Sequence, residues 1–159
     1  MFEMLLILAA AAAAAAALAG LGYLLLWLLL HGRRNGPGWE RLDGFRYAHR
    51  GLHGCGVPEN SLAAFRRAAE AGYGAELDVR LTKDGRLAVI HDATLDRVCG
   101  VSGRAAELTA AALSALRLEG TEERIPFLEE VAPLFAGRAP LIVELKTDWR
   151  SAGDLARRT

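Results

Sequence analysis

The sequence predicts an α/β domain, a parallel sheet covered by helices, held behind a single apolar helix. Three observations carry that expectation. Residues 75–81 alternate with period two, so Ala75, Leu77, Val79 and Leu81 face one way and Glu76, Asp78 and Arg80 the other, the pattern of a strand. Helical segments separate this strand from its neighbours, and such βαβ spacing implies parallel strands buried under helices. Residues 4–30 carry no charged side chain at all.

That first segment has an unbroken alanine run over 9–17 and a leucine-rich end containing Trp27. As a helix it extends roughly 40 Å, enough to cross a bilayer core with tilt. A secretory signal peptide is the competing reading. Against it, the stretch is too long for a signal h-region, and Glu3 stands where a basic n-region belongs. An uncleaved single-pass anchor in the cell membrane is therefore expected over residues 1–31. Arg33, Arg34 and Arg41 lie beyond it and no Lys or Arg precedes it, so the positive-inside tendency places the domain on the cytoplasmic side. Residues 32–44 are a turn-rich linker, and 45–159 form the domain. The 19 basic and 19 acidic residues cancel without a basic block, which argues against a nucleic-acid partner. Cys55 and Cys99 are far apart and lack metal-site spacing, and the cytoplasmic placement predicts free thiols.

Within the domain, residues 45–50 read as a short strand running into a glycine-rich loop over 51–56. Asn60 or Ser61 can cap the next helix by accepting a hydrogen bond from an unpaired backbone N–H. On that helix Leu62, Phe65, Ala69 and Gly72 share one face, while Arg66, Arg67 and Glu70 turn to water. Gly72 and Gly74 end it ahead of the strand at 75–81. Lys83-Asp84-Gly85 signals a tight turn, so a strand over 87–91 comes almost at once. The passage 92–140 shows no clear strand. It holds helices over 110–116 and 127–135; the second contains Pro133, which should kink or shorten it, and stops at Gly137. Residues 141–146 form a fourth strand with Glu144 and Lys146 on one face, and a further helix is expected before Thr159.

Glu76 and Asp78 stand roughly 6–7 Å apart on one strand face. Like charges sharing a buried site repel, and each is costly to desolvate. A bound cation is the simplest way to keep both ionised; a salt-bridged or exposed strand face is the competing reading. The other strands end in residues equally expensive to bury: His49-Arg50, His91-Asp92, and Glu144 with Lys146. In α/β barrels and open α/β sheets, sites are built at the C-terminal ends of parallel strands. Pooled there, these residues offer oxygen ligands for Mg²⁺ or Ca²⁺, cations that neutralise phosphate, and imidazoles that move protons near neutral pH. That is the inventory of metal-assisted attack on a phosphate ester. Singly, each has a plain structural role open to it: His91 as a satisfied buried group, Arg50 as an ion-pair partner, Glu59 as a loop acceptor, and Glu144 with Lys146 as a self-neutralising pair.

The words Ala48-His49-Arg50-Gly51, Pro58-Glu59-Asn60-Ser61, Glu76-Leu77-Asp78-Val79, Thr82-Lys83-Asp84-Gly85, Val89-Ile90-His91-Asp92 and Glu144-Leu145-Lys146 occur in that order. Together they resemble the signature of the glycerophosphodiester phosphodiesterase family, and Ile125-Pro126-Phe127-Leu128-Glu129-Glu130 resembles the stretch ahead of its third helix. The resemblance implies a TIM-type barrel and hydrolysis of glycerophosphodiesters to glycerol 3-phosphate and an alcohol. By position, Glu76, Asp78 and Glu144 would bind the divalent cation, Mg²⁺ or Ca²⁺, with Glu59 close to the same centre. His49 and His91 would be the acid/base pair, His49 the first base and His91 the first acid. Arg50 and Lys146 would contact phosphate. The implied route has the substrate's own 2-hydroxyl attack phosphorus, giving a cyclic phosphate that water then opens.

The departure from the family is length. A complete barrel takes eight strand–helix units and about 250 residues, whereas four units are read here, so the chain is expected to be the N-terminal half of the domain. An open half-barrel leaves strand edges unpaired and apolar surface exposed, which favours pairing with another half or with itself. Two other readings stay open: a lysophospholipid-cleaving, phospholipase-D-like relative kept near lipid by its anchor, and a non-catalytic half-barrel serving as a binding module.

Overall fold

A computed structural model of the chain describes residues 2–30 and 38–146, which fall into two units divided between Glu40 and Arg41. Arg33 and Arg34, expected to orient the anchor, the first part of the expected linker and the helix expected after residue 146 lie outside the described residues. The first unit is a 29-residue helix, α1 (Phe2–Leu30). Alanine and leucine are the strongest helix formers, and they occupy every face, so α1 has no polar side to turn toward water. None of its apolar span is buried, and its length suffices to cross a membrane.

The second unit follows the order β1 (Tyr47–His49), α2 (Leu62–Glu70), β2 (Gly74–Leu81), β3 (Leu87–Val89), α3 (Asp96–Cys99), α4 (Ala110–Ser114), α5 (Leu128–Phe135) and β4 (Leu141–Leu145). β2 is the central strand. β1 runs parallel along one edge, pairing Ala48 with Ala75 and His49 with Glu76. β4 also runs parallel to β2, pairing Asp78 with Glu144 and Val79 with Leu145. This register places the carboxylates of β2 and β4 side by side.

The strand expected over 87–91 departs from the parallel scheme. β3 runs antiparallel to β2, with Val89 opposite Val79 and Leu87 opposite Leu81. Its short connection is the reason, because a parallel return needs a crossover of about a dozen residues. The turn closes tightly: Thr82 N donates to Arg86 O at 2.9 Å and Arg86 N to Thr82 Oγ1 at 2.8 Å. Asp84 Oδ1 accepts from Thr82 Oγ1 and from Ala110 N, which ties the turn to the start of α4. Three described strands are therefore parallel, not four, and the chain after β3 heads back along β2 toward Asp78, where Ile90 N donates to Asp78 O at 3.0 Å.

Ser61 is the cap of α2. Its Oγ accepts from Ala64 N at 3.1 Å and donates to Pro58 O at 2.7 Å. The buried face of α2 is Ala64, Phe65 and Ala68, one position off the expected face, and Gly72 is exposed. Phe65 packs edge-on against Phe135 of α5, with ring centroids 6.3 Å apart. Around them Leu77, Val79, Leu87, Val89 and Val131 form the first core. A second core under the strand-free passage gathers Ala88, Ile90, Leu95, Leu113, Ile125 and Phe127. The odd residues of β2 thus feed the helix-facing core, leaving Glu76, Asp78 and Arg80 on the opposite face.

Gly51, directly after His49-Arg50, has φ +79° and packs against α2 so closely that a Cβ would lie 2.8 Å from Ala64 Cβ and 2.9 Å from Ala64 C. Gly56 has a similar φ of +80° but nothing within 4 Å. We expect Gly51→Ala to destabilise the domain by about 1–3 kcal/mol in urea denaturation, and Gly56→Ala by clearly less, since only the first adds a clash to the strained φ. Equal losses would show that the approach of the loop to α2 carries no stability.

Candidate active site

Asp78 is 1 % exposed, and a carboxylate so far from water must be neutralised and hydrogen-bonded. Three segments do this. Asn60 Nδ2 donates to Asp78 Oδ2 at 3.0 Å, Arg50 Nε stands 3.3 Å from Oδ2, and Lys146 Nζ stands 3.3 Å from Oδ1. Arg50 and Asn60 both hold left-handed backbones, φ +56° and +53°, and Asn60 N donates to Arg50 O at 2.9 Å. This local lock folds the loop after β1 back over the end of β2. Asparagine tolerates that conformation better than most residues.

Glu76, Asp78 and Glu144 offer carboxylate oxygens that all lie within 4.8 Å of one another. Asp78 Oδ1 and Asn60 Oδ1 are buried and accept no well-formed hydrogen bond, although Lys146 Nζ faces Asp78 Oδ1 as an ion-pair partner. Three hard oxygen donors, one of them a carboxylate oxygen with unused lone pairs, suit a hard divalent cation such as Mg²⁺ or Ca²⁺. Lys146 donates to Glu144 Oε1 at 2.6 Å; that hydrogen bond raises its ammonium above the ordinary value against the pull of burial, with Asp78 adding to the rise. Glu76 Oε2 accepts from Arg50 N at 3.3 Å and stands 3.9 Å from His49 Nε2. His49 is itself open, its side chain 69 % exposed.

Glu59 lies outside this trio. Its carboxylate is shared between two arginines, with Arg50 Nη1 at 3.1 and 3.2 Å from its two oxygens and Arg97 Nη2 at 2.6 Å from Oε1. Burial works to raise the Glu59 carboxyl, yet Arg97 and Arg50 together hold it below the ordinary range.

His91 is oriented by its neighbour. Nδ1 lies 2.7 Å from Asp92 Oδ1, and Arg97 Nε donates to Asp92 Oδ2 at 2.6 Å. The Arg97 hydrogen bond holds the Asp92 carboxyl at about 2, below its ordinary 3.8, with burial opposing and His91 assisting. A group depressed this way stabilises the fold fully above its unfolded value and ceases to as pH falls through about 2. An ionised Asp92 can only accept in this contact, so Nδ1 is the ring nitrogen that donates to it and Nε2 is the one left free for a substrate. Arg80 Nε donates to His91 O at 2.9 Å and fixes the backbone beneath the ring.

Seven of the eight residues expected at the site lie on one continuous stretch of contacts, with His49 at its open edge, and His91 joins it on the Glu59 side through Asp92 and Arg97. Two participants are not assigned to the site by the sequence pattern. Arg97 sits on the four-residue helix α3, which no periodicity marks. Asn60 is expected from sequence only as a helix cap, the place Ser61 takes.

Comparison with known proteins bears on the same residues. A glycerophosphodiester phosphodiesterase of Caldanaerobacter subterraneus is 44 % identical over 108 residues, covering 63 % of this chain and 44 % of the relative. A lysophospholipase D of Rattus norvegicus is 34 % identical over 133 residues, covering 76 % and 40 %. Among solved structures, an Oleispira antarctica phosphodiesterase in complex with the product sn-glycerol-3-phosphate superposes with a TM-score of 0.65 at 30 % identity, over 72 % of this chain and 49 % of that one. The chain spans less than half the length of these curated relatives. Residues 49–151 match the family model of the glycerophosphoryl diester phosphodiesterases, and the chain belongs to that family.

Proposed function

We propose that residues 45–159 belong to a divalent-cation-dependent phosphodiesterase that cleaves glycerophosphodiesters to glycerol 3-phosphate and an alcohol, tethered by 32–44 to a membrane helix. The single observation that carries this reading is the Glu76, Asp78 and Glu144 cluster, with its buried Asp78 oxygen that accepts no well-formed hydrogen bond. Those three side chains would hold the cation, which supplies charge neutralisation at the phosphoryl oxygens. Arg50 and Lys146 bind the phosphate, and Arg50 does so from a side chain already braced by Glu59. His49, at the open edge, takes the proton of the substrate's 2-hydroxyl as its oxygen attacks phosphorus. His91 enters this step protonated on both nitrogens and gives the Nε2 proton to the departing alcohol oxygen. In the second step the roles reverse: His91 takes a proton from water as the water oxygen attacks phosphorus, the P–O bond to the 2-oxygen breaks, and His49 gives its proton to that oxygen to restore the 2-hydroxyl. β4 pairs only with β2 among the described residues and exposes Ile142, so a further half of the barrel, or a second copy, would add at its free edge.

A second reading is favoured by the rat lysophospholipase D and the apolar α1 together: a lipid-tailed substrate presented at the bilayer. Turnover of lysophospholipid without turnover of glycerophosphocholine would select it.

Titrating Mg²⁺ or Ca²⁺ into the full chain in detergent should raise the thermal unfolding midpoint, because a ligand of the native state alone stabilises it by about 2.7 kcal/mol at one hundred times its Kd. Glu76→Gln should weaken cation binding about 10- to 100-fold, and a chelator should stop release of glycerol 3-phosphate. No midpoint shift and no turnover would leave the binding-module reading. His91→Gln should lower kcat about 10²- to 10⁴-fold while leaving cation affinity, read by calorimetry, in place; wild-type kcat would remove His91 from the chemistry. For the anchor, the expressed protein should keep residue 1 or 2 as its N-terminus and stay with membranes after alkaline washing. A mature N-terminus beyond residue 30 would identify a signal peptide instead.

A further inference from the structure

We propose that Arg97 is a positioning residue: its guanidinium joins the His91–Asp92 pair to the Glu59–Arg50 pair and so sets the proton-carrying imidazole at a fixed distance from the phosphate-binding arginine. The inference rests on the phosphodiesterase reading for its catalytic consequence, and on contacts alone for its structural one.

The geometry is that of a two-armed clamp. Nε donates to Asp92 Oδ2 and Nη2 donates to Glu59 Oε1, both at 2.6 Å. The two carboxylates come from different parts of the chain, Glu59 from the loop before α2 and Asp92 from the loop after β3. Each has its remaining capacity committed elsewhere. Asp92 Oδ1 holds His91 Nδ1, and both Glu59 oxygens accept from Arg50, whose Nε faces Asp78. Within this row of charges, Arg97 is the link between the histidine side and the arginine side.

Arginine suits the task because its planar fork offers separate, divergent donors, whereas a lysine ammonium is one point charge. With Oδ2 pinned by Arg97, the Asp92 carboxylate cannot turn away, and the imidazole it holds keeps its proton on Nδ1. The groups facing His91 are Asp92 at the ring, Arg97 behind Asp92, and Arg80 at the His91 carbonyl. Without Arg97, Asp92 regains rotational freedom toward solvent, and His91 loses a fixed acceptor. Arg97 is 49 % exposed on its side chain, so its replacement removes contacts at a surface rather than a core.

The test uses the full chain in detergent micelles with ¹⁵N-labelled histidine, His91→Gln identifying the His91 signals, in wild type, Arg97→Gln and Arg97→Met. Two variants are used so that one that fails to fold does not decide the matter, and Arg97→Met keeps an unbranched apolar stem without the fork. At a pH where the ring is neutral, wild type should show the Nδ1–H form of His91, and both variants a shift toward the Nε2–H form. On glycerophosphocholine, kcat should fall at least about tenfold in the variants with KM within about twofold, the mark of a displaced proton carrier. An unchanged His91 tautomer in a folded variant would overturn the clamp, and an unchanged kcat would overturn its catalytic role. If wild type turns over neither glycerophosphocholine nor lysophospholipid while the tautomer shifts in the variants, the phosphodiesterase reading fails and the clamp stands.

Discussion

Everything at the polar face of the sheet answers to one buried negative charge. Asp78 lies on the central strand with almost no access to water, and removing a carboxylate from water costs several kcal/mol unless partners replace the solvent. The partners arrive from three directions: Arg50 from the loop after β1, Asn60 from the turn before α2, and Lys146 from the end of β4. Satisfying Asp78 therefore fixes where three connecting segments stop. The left-handed backbones at Arg50 and Asn60 are tolerated because the side chains they deliver have this one destination.

The same demand explains why the cationic groups and the carboxylates of the site are interleaved rather than segregated. Two arginines and three carboxylates alternate from Asp92 through Arg97, Glu59 and Arg50 to Asp78, and Lys146 continues the alternation to Glu144. The alternation keeps each charge near its complement along a row that runs from half-exposed Arg97 to buried Asp78. A row carrying both signs matches in charge the phosphate and cation proposed for it, each facing complementary members. Membership of the glycerophosphoryl diester phosphodiesterase family fits a site of this composition.

Much of this is legible in the sequence, and the parts that are not have physical reasons. The alternation at 75–81 locates β2 to within one residue because a strand with one apolar and one charged face has an unambiguous period. The placement of Glu144 beside Asp78 accords with the same logic applied to β4. The direction of β3 escapes the pattern because hydrophobic alternation is blind to strand polarity; the brevity of the Lys83-Asp84-Gly85 turn is the signal that reveals it. Glu59 reads from its motif as a further acid near the cation, and nothing local reveals that Arg97, thirty-eight positions on, also binds one of its oxygens. Long-range pairs of that kind leave no periodic trace. α3 is invisible for a different reason: four residues are too few to display a helical period.

The antiparallel hairpin has a consequence for how such a domain can vary. It works as a ruler, because Val79 opposite Val89 sets how far along β2 the His91 backbone returns. Side chains alternate faces with every residue, so inserting or deleting one position between Leu81 and Leu87 would turn Leu87 and Val89 out of the helix-facing core and shift the His91 backbone along β2 relative to Asp78. Evolutionary tinkering with this turn is thus confined to changes that preserve parity. The glycine-rich loop after β1 is held to no such gauge at Gly56, where an added Cβ would meet nothing within 4 Å, so side chains can be introduced there without a clash against the strand ends.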